Sequence, residues 1–358
     1  MLYVSTAASF FVNPWVNGLI LGLMVLGVFI SFRILDVADL SVEGIVPMIT
    51  LLTAASIAEG LSPWLVVLIS IVIGAICGAL NALLTIYLKT PPLLSGIIVM
   101  ALTFGIGIMI NSLRSGSVSF DASNCDTVFN WLQNGLNSMT SGWDLSARRE
   151  FMFWSSYLSY IIVALVILLV IAFVLYFFFG TELGMAIRAV GKNKTMARAN
   201  GINVNMMTII GLSISGALVG LSATLYGQHN TMGLPTDGQG MIVIGLSALF
   251  LGETICSPHS FKSHLISALV GSLLYWYLIQ ILMMIDTNGY MLSVYKALLL
   301  ILIIALQLGI AVVKNKFGPG NKNKQIEPGN GPSQTRKQIS GMKESFVRHC
   351  FGDYYARS

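Results

Sequence analysis

Long apolar stretches without a charged residue recur along the sequence and constrain its fold more than any other feature. A helix needs about 20 apolar residues to cross a hydrocarbon core about 30 Å thick. We predict nine membrane segments, at residues 15–32, 41–58, 63–88, 92–113, 154–179, 206–227, 240–254, 264–285 and 291–313. The sequence therefore predicts an all-α polytopic membrane protein in which some segments are short or broken.

The composition excludes most other classes of protein. Only 10% of the 358 residues are charged and 55% are hydrophobic, whereas about 25% of the residues of a typical soluble domain are charged. The four cysteines have no paired or metal-like spacing, and the four histidines have no spacing typical of metal ligands. We therefore expect no catalytic residues, no metal site and no cofactor in this chain.

Basic residues predict the orientation of the chain, because short cytoplasmic loops are enriched in Lys and Arg. Placing the loop at about residues 180–205 in the cytoplasm puts 16 of the 20 basic residues on that side. The N-terminus is then outside and the C-terminus inside.

The apolar segments and the distribution of basic residues divide the chain into two predicted parts. Residues 1–313 form a transmembrane domain, whose external loop at 114–150 contains a predicted amphipathic helix. Residues 314–358 are rich in Gly, Asn, Pro and Lys, and they predict a basic, largely disordered cytoplasmic tail. Such a tail favours a lipid membrane surface over a nucleic acid as its neighbour.

Acidic residues interrupt the start of the second segment. Asp36, Asp39 and Glu43 are predicted to share one helical face, and acidic groups at membrane depth are costly unless they face protein or water. Two interpretations follow. Either Asp39 or Ser41 caps the helix that begins there, or the helix is broken and borders a translocation path.

A similar feature precedes the segment at 240–254. Asp237 and two glycines lead into an apolar run that is too short to cross the membrane comfortably. The two short segments occupy comparable places in the two halves of the chain, which indicates an internal duplication of the kind common in transporters. The candidate residues of a translocation path are therefore Asp39, Ser41, Glu43, Gly238 and Gly240.

The loop at 180–205 carries Gly191 and Lys192 but no phosphate-binding motif. That motif needs a glycine five residues before its second glycine and a Ser or Thr directly after the lysine. This chain has Ala186 and Asn193 at those places. The sequence therefore contains no nucleotide-binding loop of its own.

Several motifs together resemble one family of membrane proteins. The runs GTELG at 180–184, RAVGKN at 188–193 and MARA at 196–199 resemble the ATPase-contacting loop of ABC importer permeases of the branched-chain amino acid and ribose superfamily. The run DLSVEG at 39–44 resembles the Asp-Leu-(Ser/Thr)-Val-x-Gly signature near the start of such permeases, and residues 91–97 and 240–253 also fit. The matches lie in the expected order, and the greatest likeness is to the branch assigned to tryptophan, tyrosine or related solutes.

The resemblance implies the transmembrane permease subunit of a bacterial ABC importer, located in the cell membrane. Its implied partners are a separate ATP-binding subunit, which binds the ATP, an extracytoplasmic solute-binding protein and a second permease copy in a homodimer. The implied cargo is a small solute, with an amino acid, including an aromatic one, favoured. This chain would itself not be an enzyme.

The resemblance also implies how the cytoplasmic loop acts. A short helix at about 185–200 would fit a groove in the ATPase. Gly191 and Gly201 would allow tight turns, Ala197 would permit close packing, and Arg188 and Arg198 could pair with acidic groups. The implied coupling residues are Arg188, Gly191, Asn193, Ala197, Arg198 and Gly201.

A second function class stays open at this point. Asp39 and Glu43 would also suit the proton or cation site of an ion-coupled secondary transporter or channel. Such a protein needs no ATPase, so uptake that persists without one would favour it.

Overall fold

The structure, a computed structural model, describes residues 2–113, 118–120, 127–130, 145–256, 261–285 and 292–317. Its helices are α1 (Leu2–Val28), α2 (Val42–Ala58), α3 (Pro63–Tyr87), α4 (Pro92–Leu113), α5 (Leu145–Phe178), α6 (Glu182–Lys192), α7 (Lys194–Ala199), α8 (Val204–Asn230), α9 (Met241–Cys256), α10 (Phe261–Ile285) and α11 (Leu292–Phe317). A π-helical turn (Phe29–Ile34) continues α1, and a 3-10 turn (Pro235–Gly238) precedes α9. Two short strands, β1 (Val118–Ser119) and β2 (Met232–Gly233), pair antiparallel.

Seven stretches of the described chain are helical, long and apolar enough to cross a membrane: Val12–Ile34, Pro63–Tyr87, Pro92–Leu113, Leu158–Phe178, Val204–Asn230, Pro235–Cys256 and Phe261–Met283. Two shorter apolar stretches, Val42–Ala58 and Val294–Gln307, coincide with the other two predicted segments. The 17 residues of α2 span only about 26 Å at 1.5 Å per residue. The helical fold and seven of the predicted segments are confirmed, whereas nine full spans and the orientation of the termini stay predictions.

The first two helices lie in the interior of the bundle. The most apolar part of Val12–Ile34 is 83% buried, whereas the corresponding part of Leu158–Phe178 is 17% buried. Most residues of α2 are also buried. Large apolar side chains remain exposed on the outer helices, among them Leu68, Met109 and Phe173. Because soluble proteins rarely expose contiguous apolar surface on this scale, the outer helices fit a lipid environment.

Glycines bring α3 and α8 into direct backbone contact. A Cβ placed on Gly216 would lie 3.0 Å from the backbone nitrogen of Gly78, and one on Gly78 would lie 2.9 Å from the carbonyl carbon of Leu212. Small residues allow such close approach of membrane helices. This contact anchors the helices that surround the break between α1 and α2.

The chain divides into two units at the boundary between Ile304 and Ala305, and the residues of both candidate sites lie in the first. The amphipathic helix predicted for the external loop depends mainly on residues 131–139, which lie outside the described residues. Residues 318–358 of the predicted tail also lie outside them, and α11 ends at Phe317.

Candidate coupling and translocation sites

The predicted coupling loop folds into two helices, α6 and α7, instead of one. They are separated by Asn193, whose backbone is extended at φ −159° and ψ 104°. Its side-chain Oδ1 accepts hydrogen bonds from the backbone N–H groups of Thr195 and Met196, at 3.0 and 3.1 Å. The prediction of one helix at 185–200 is therefore wrong at Asn193, because its amide caps a new helix there. We call α6 and α7 together the coupling segment.

Gly191 lies where the coupling segment touches the end of α1. A Cβ on Gly191 would overlap the carbonyl oxygen of Ile34 and lie 2.7 Å from its carbonyl carbon. Gly191 is inside α6 and is not among the glycines with positive φ. The prediction of a tight turn at Gly191 is therefore wrong. A glycine is needed here because the backbone of α6 lies directly against the π-helical turn Phe29–Ile34.

The turn expected at Gly201 is present. Gly201 has a φ of +78°, and its N–H donates to the carbonyl of Arg198 at 3.0 Å, which closes the C-terminus of α7. A Cβ on Gly201 would meet no atom within 4 Å. Ala197 is only 2% exposed and packs into the interior of this chain, and its expected packing against the ATPase stays a prediction. The two glycines of this region thus serve different purposes, one for space and one for backbone conformation.

The basic residues of the coupling segment point in two directions. Arg188 packs inward, with Nη2 donating to the carbonyl oxygen of Phe179 at 2.8 Å and the guanidinium carbon 5.2 Å from the centre of the Phe261 ring. Lys192, Lys194 and Arg198 are exposed, and so are the apolar side chains of Leu183, Met185 and Met196. Exposed apolar residues beside basic ones, outside the membrane spans, are typical of a surface that docks another protein.

We expect Asn193→Ala to weaken the N-terminus of α7 by about 1 kcal/mol, because two backbone N–H groups lose their side-chain acceptor. Asn193→Asp keeps an acceptor oxygen and is the matched control. Amide hydrogen exchange of residues 195–199 in the purified protein should be faster in the alanine variant and unchanged in the aspartate variant. Unchanged exchange in both variants would contradict the cap.

The second site is the break between α1 and α2. Residues 35–41 do not continue the helix, because Asp36 turns the chain with a left-handed φ of 56°. The prediction that Asp36, Asp39 and Glu43 share a helical face is therefore wrong. Asp36 is exposed, whereas Asp39 is 3% exposed.

Asp39 holds this break in place. Its Oδ1 accepts hydrogen bonds from the backbone N–H of Ser41 at 2.9 Å, from the hydroxyl of Ser41 at 2.5 Å and from the side-chain amide of Asn81 at 2.8 Å. The amide oxygen of Asn81 accepts a further bond from Ser95 on α4, at 2.7 Å. Asp39 thus binds the start of α2, as the capping interpretation expected, while the Ser41 side chain itself makes no cap bond.

Sequence reasoning missed Asn81 and Ser95. The sequence did show one signal, the side-chain amide of Asn81 in an otherwise apolar run. A buried amide needs hydrogen-bond partners, but the sequence does not say where they come from.

Glu43 joins the two short segments directly. Its carboxylate accepts hydrogen bonds from the backbone N–H groups of Gly240 and Ile242, at the N-terminus of α9. The positive end of the helix dipole favours a negative charge at this place. Gly240 has a φ of +73°, and a Cβ on Gly238 would lie 2.6 Å from the ring of Pro47 on α2. The structure therefore brings Glu43, Gly238 and Gly240 together.

Lys296 on α11 completes this second site, although sequence reasoning gave it no role. Its Nζ donates to the carbonyl oxygen of Gln239 at 3.1 Å, and its charge interacts favourably with Glu43 and Asp237. Asp237 also accepts a bond from the backbone N–H of Leu234 at 2.8 Å. A lone lysine in an apolar segment was the available signal. We call Glu43, Asp237 and Lys296 the charged cluster.

The charged cluster lies at the surface of this single chain. Its three residues are partly buried, and the neighbouring Thr236 and Gln239 are exposed. Asp237 belongs to a stretch long and apolar enough to span a membrane, and Glu43 and Lys296 belong to the two shorter apolar helices. Charged groups at membrane depth are costly against lipid, so this face is suited to water or to another protein.

Comparison with known proteins gives a consistent match. A family model described as branched-chain amino acid transport system, permease component, matches residues 11–306. A tyrosine transport system permease protein of Clostridioides difficile is 28% identical over 319 residues, which cover 88% of this chain and 98% of that protein. A ribose import permease protein of Haemophilus influenzae is 23% identical over 263 residues, 74% of each chain. No solved structure gives a significant match.

Proposed function

Since the chain belongs to the family of branched-chain amino acid transport system permease components, it is an ABC transporter permease subunit and a multi-pass protein of the bacterial plasma membrane, and we propose that it serves an importer. In this proposal it forms the path for a small solute. A separate ATPase provides the free energy, and an extracytoplasmic binding protein delivers the solute.

The observation that carries the proposal is the contact of Gly191 with Ile34. The coupling segment offers an exposed apolar and basic surface for the ATPase, while its buried side rests on the π-helical turn at the end of α1. That turn leads directly into the break at residues 35–41 and then into α2, which carries Glu43. A displacement of the coupling segment therefore has a continuous route of packed backbone to the charged cluster.

The charged cluster is our candidate for the wall of the translocation path. Glu43, Asp237 and Lys296 lie on three separate elements, and hydrogen bonds and charge interactions connect these elements. Irregular backbone at membrane depth persists only where protein or a water-filled cavity shields it from lipid. We propose that the exposed side of the cluster faces a second copy of the chain across that path, in a homodimer.

For the solute we propose an amino acid, with tyrosine as the first to test. The support is the tyrosine transport permease that matches almost along its full length at 28% identity. Cells that express the chain with its ATPase and binding protein should accumulate radiolabelled tyrosine. Accumulation of ribose in place of tyrosine would contradict the proposed substrate but would still agree with the importer proposal.

Affinity purification of the tagged chain from native membranes, in mild detergent, tests the importer proposal. An ATP-binding cassette protein should co-purify in stoichiometric amount with the wild type and be lost with Gly191→Asp. The tag alone, expressed in the same membranes, is the control. Recovery of an active chain without any ATPase would contradict the proposal.

The rival function is an ion-coupled transporter or channel that uses Asp39 and Glu43. In the structure the Oδ1 atom of Asp39 accepts three hydrogen bonds, and Glu43 accepts two from backbone N–H groups. Both carboxylates thus have a structural task that needs no ion. The rival predicts uptake that follows an ion gradient and does not need ATP.

A further inference from the structure

A cavity of about 600 Å³ lies beside the coupling segment, where α5 ends and α10 begins. Its walls are four aromatic residues, Gly180 and Thr181, and two basic residues, Arg188 and Lys262. None of the residues of the charged cluster lines it. The cavity is therefore separate from the proposed path.

The two basic residues of the cavity have no acidic partner in the part of the chain that the structure describes. At this end of the bundle the Oε1 atom of Glu253 lies 3.1 Å from Nε of Arg33 and 3.4 Å from Nδ1 of His264. Lys262 instead places its Nζ 4.8 Å from the centre of the Tyr176 ring. The positive charge of the cavity is thus left without a carboxylate among the described residues.

Arg188 has spare hydrogen-bonding capacity at the cavity. A guanidinium has five N–H donors, and Arg188 donates through Nη2 to Phe179. Its Nε finds no acceptor among the described residues. Gly180 and Thr181, which also line the cavity, immediately precede α6, whose first residue, Glu182, is exposed and does not line the cavity. Arg and Lys side chains together favour a phosphate group.

The cavity also lies at the ends of two of the stretches that are long and apolar enough to span a membrane. Tyr176 and Phe177 belong to the end of the span Leu158–Phe178, and Lys262 belongs to the start of the span Phe261–Met283. Phe177 is 57% exposed, and Phe173 and Val174 continue an exposed apolar strip along α5. Aromatic residues and basic pockets at the ends of spans lie at the level of lipid headgroups.

We propose that this cavity binds an anionic phospholipid. The phosphate lies between Arg188 and Lys262, and an acyl chain follows the strip of Phe173, Val174 and Phe177. The bound lipid fills the junction at Gly180, where the span of α5 passes into the coupling segment. A zwitterionic lipid binds more weakly because its headgroup ammonium is repelled by both basic residues.

Native mass spectrometry of the full chain, purified with the subunits that stay bound, tests this site with dioleoyl phosphatidylglycerol. Lys262→Gln should weaken binding about fivefold, since one basic residue near anionic lipid contributes about 1 kcal/mol. Lys262→Arg should bind like the wild type. Lys194→Gln removes an exposed charge of the coupling segment outside the cavity and should also bind like the wild type.

Five results would overturn the lipid site. Phosphatidylethanolamine could bind as tightly as phosphatidylglycerol, or Lys194→Gln could lose as much lipid as Lys262→Gln. Displacement of the lipid by glycerol phosphate alone would point to a soluble phosphate ligand. A photoreactive phosphatidylglycerol should label Tyr176 or Phe177, and labelling only elsewhere would place the lipid outside the cavity. Loss of the ATPase, with lipid binding unchanged in Lys262→Gln, would make the cavity part of the subunit interface.

Discussion

Replacing Gly191 by alanine is expected to abolish ATP-driven uptake while the chain still inserts into the membrane. The added Cβ would overlap the carbonyl oxygen of Ile34 and lie 2.7 Å from its carbonyl carbon. Both neighbours are backbone atoms, so no side-chain rotation relieves the overlap. α6 must therefore move away from the end of α1, and the route from the ATPase to the break at residues 35–41 is lost.

Gly201→Ala is the matched control for Gly191→Ala. A Cβ on Gly201 meets no atom within 4 Å, and only the φ of +78° resists the change. The left-handed conformation costs a residue with a side chain about 1–2 kcal/mol, and less for asparagine. Gly201→Ala should thus reduce uptake partially, and Gly201→Asn should preserve most of it. Uptake at the wild-type rate in Gly191→Ala, at equal amounts of protein in the membrane, would contradict the proposed contact.

Glu43→Leu is the second substitution with a large expected effect, a loss of uptake of more than about tenfold. Leucine leaves the backbone N–H groups of Gly240 and Ile242 without their acceptor. The loss of a hydrogen bond to a charged group costs about 1.5–3 kcal/mol. Lys296 also loses one of its two negative neighbours. The N-terminus of α9 is then held less firmly against α2, and the wall of the proposed path is weakened.

Glu43→Gln separates the importer from its ion-coupled rival. The amide oxygen of glutamine can still accept the backbone hydrogen bonds, so we expect ATP-driven uptake within about fivefold of the wild type, which corresponds to a ΔΔG of about 1 kcal/mol or less. An ion-coupled transporter that binds its proton or cation at Glu43 would lose activity in this variant. The measurement is initial uptake rate at equal membrane content, for Glu43→Gln and Glu43→Leu side by side.

Much of the fold could be predicted because lipid imposes a simple requirement on sequence. Every spanning segment must be a long apolar helix, so the seven long segments were recognisable one at a time. The break near Asp39 and the glycines before α9 were also recognisable, because they violate that requirement. In the structure the first lies in irregular backbone at residues 35–41, and the second begins in the 3-10 turn Pro235–Gly238.

The remainder depends on contacts between residues far apart in the sequence. Nothing near Gly191 indicates that Ile34 lies against it, so a glycine needed for space looked like a glycine needed for a turn. The helical face expected for Asp36 and Asp39 assumed a regular helix, which the left-handed Asp36 interrupts. Asn81 and Lys296 were visible as polar residues in apolar segments, but their partners come from other helices.

Uptake into proteoliposomes, with and without the ATPase, tests the central claim most directly. Liposomes containing the chain, the ATPase and the binding protein should accumulate radiolabelled tyrosine only when ATP is hydrolysed, and dissipating ion gradients should not stop them. Liposomes containing the chain alone should accumulate nothing. Accumulation by the chain alone, driven by an imposed proton or sodium gradient, would contradict the account and favour the ion-coupled rival.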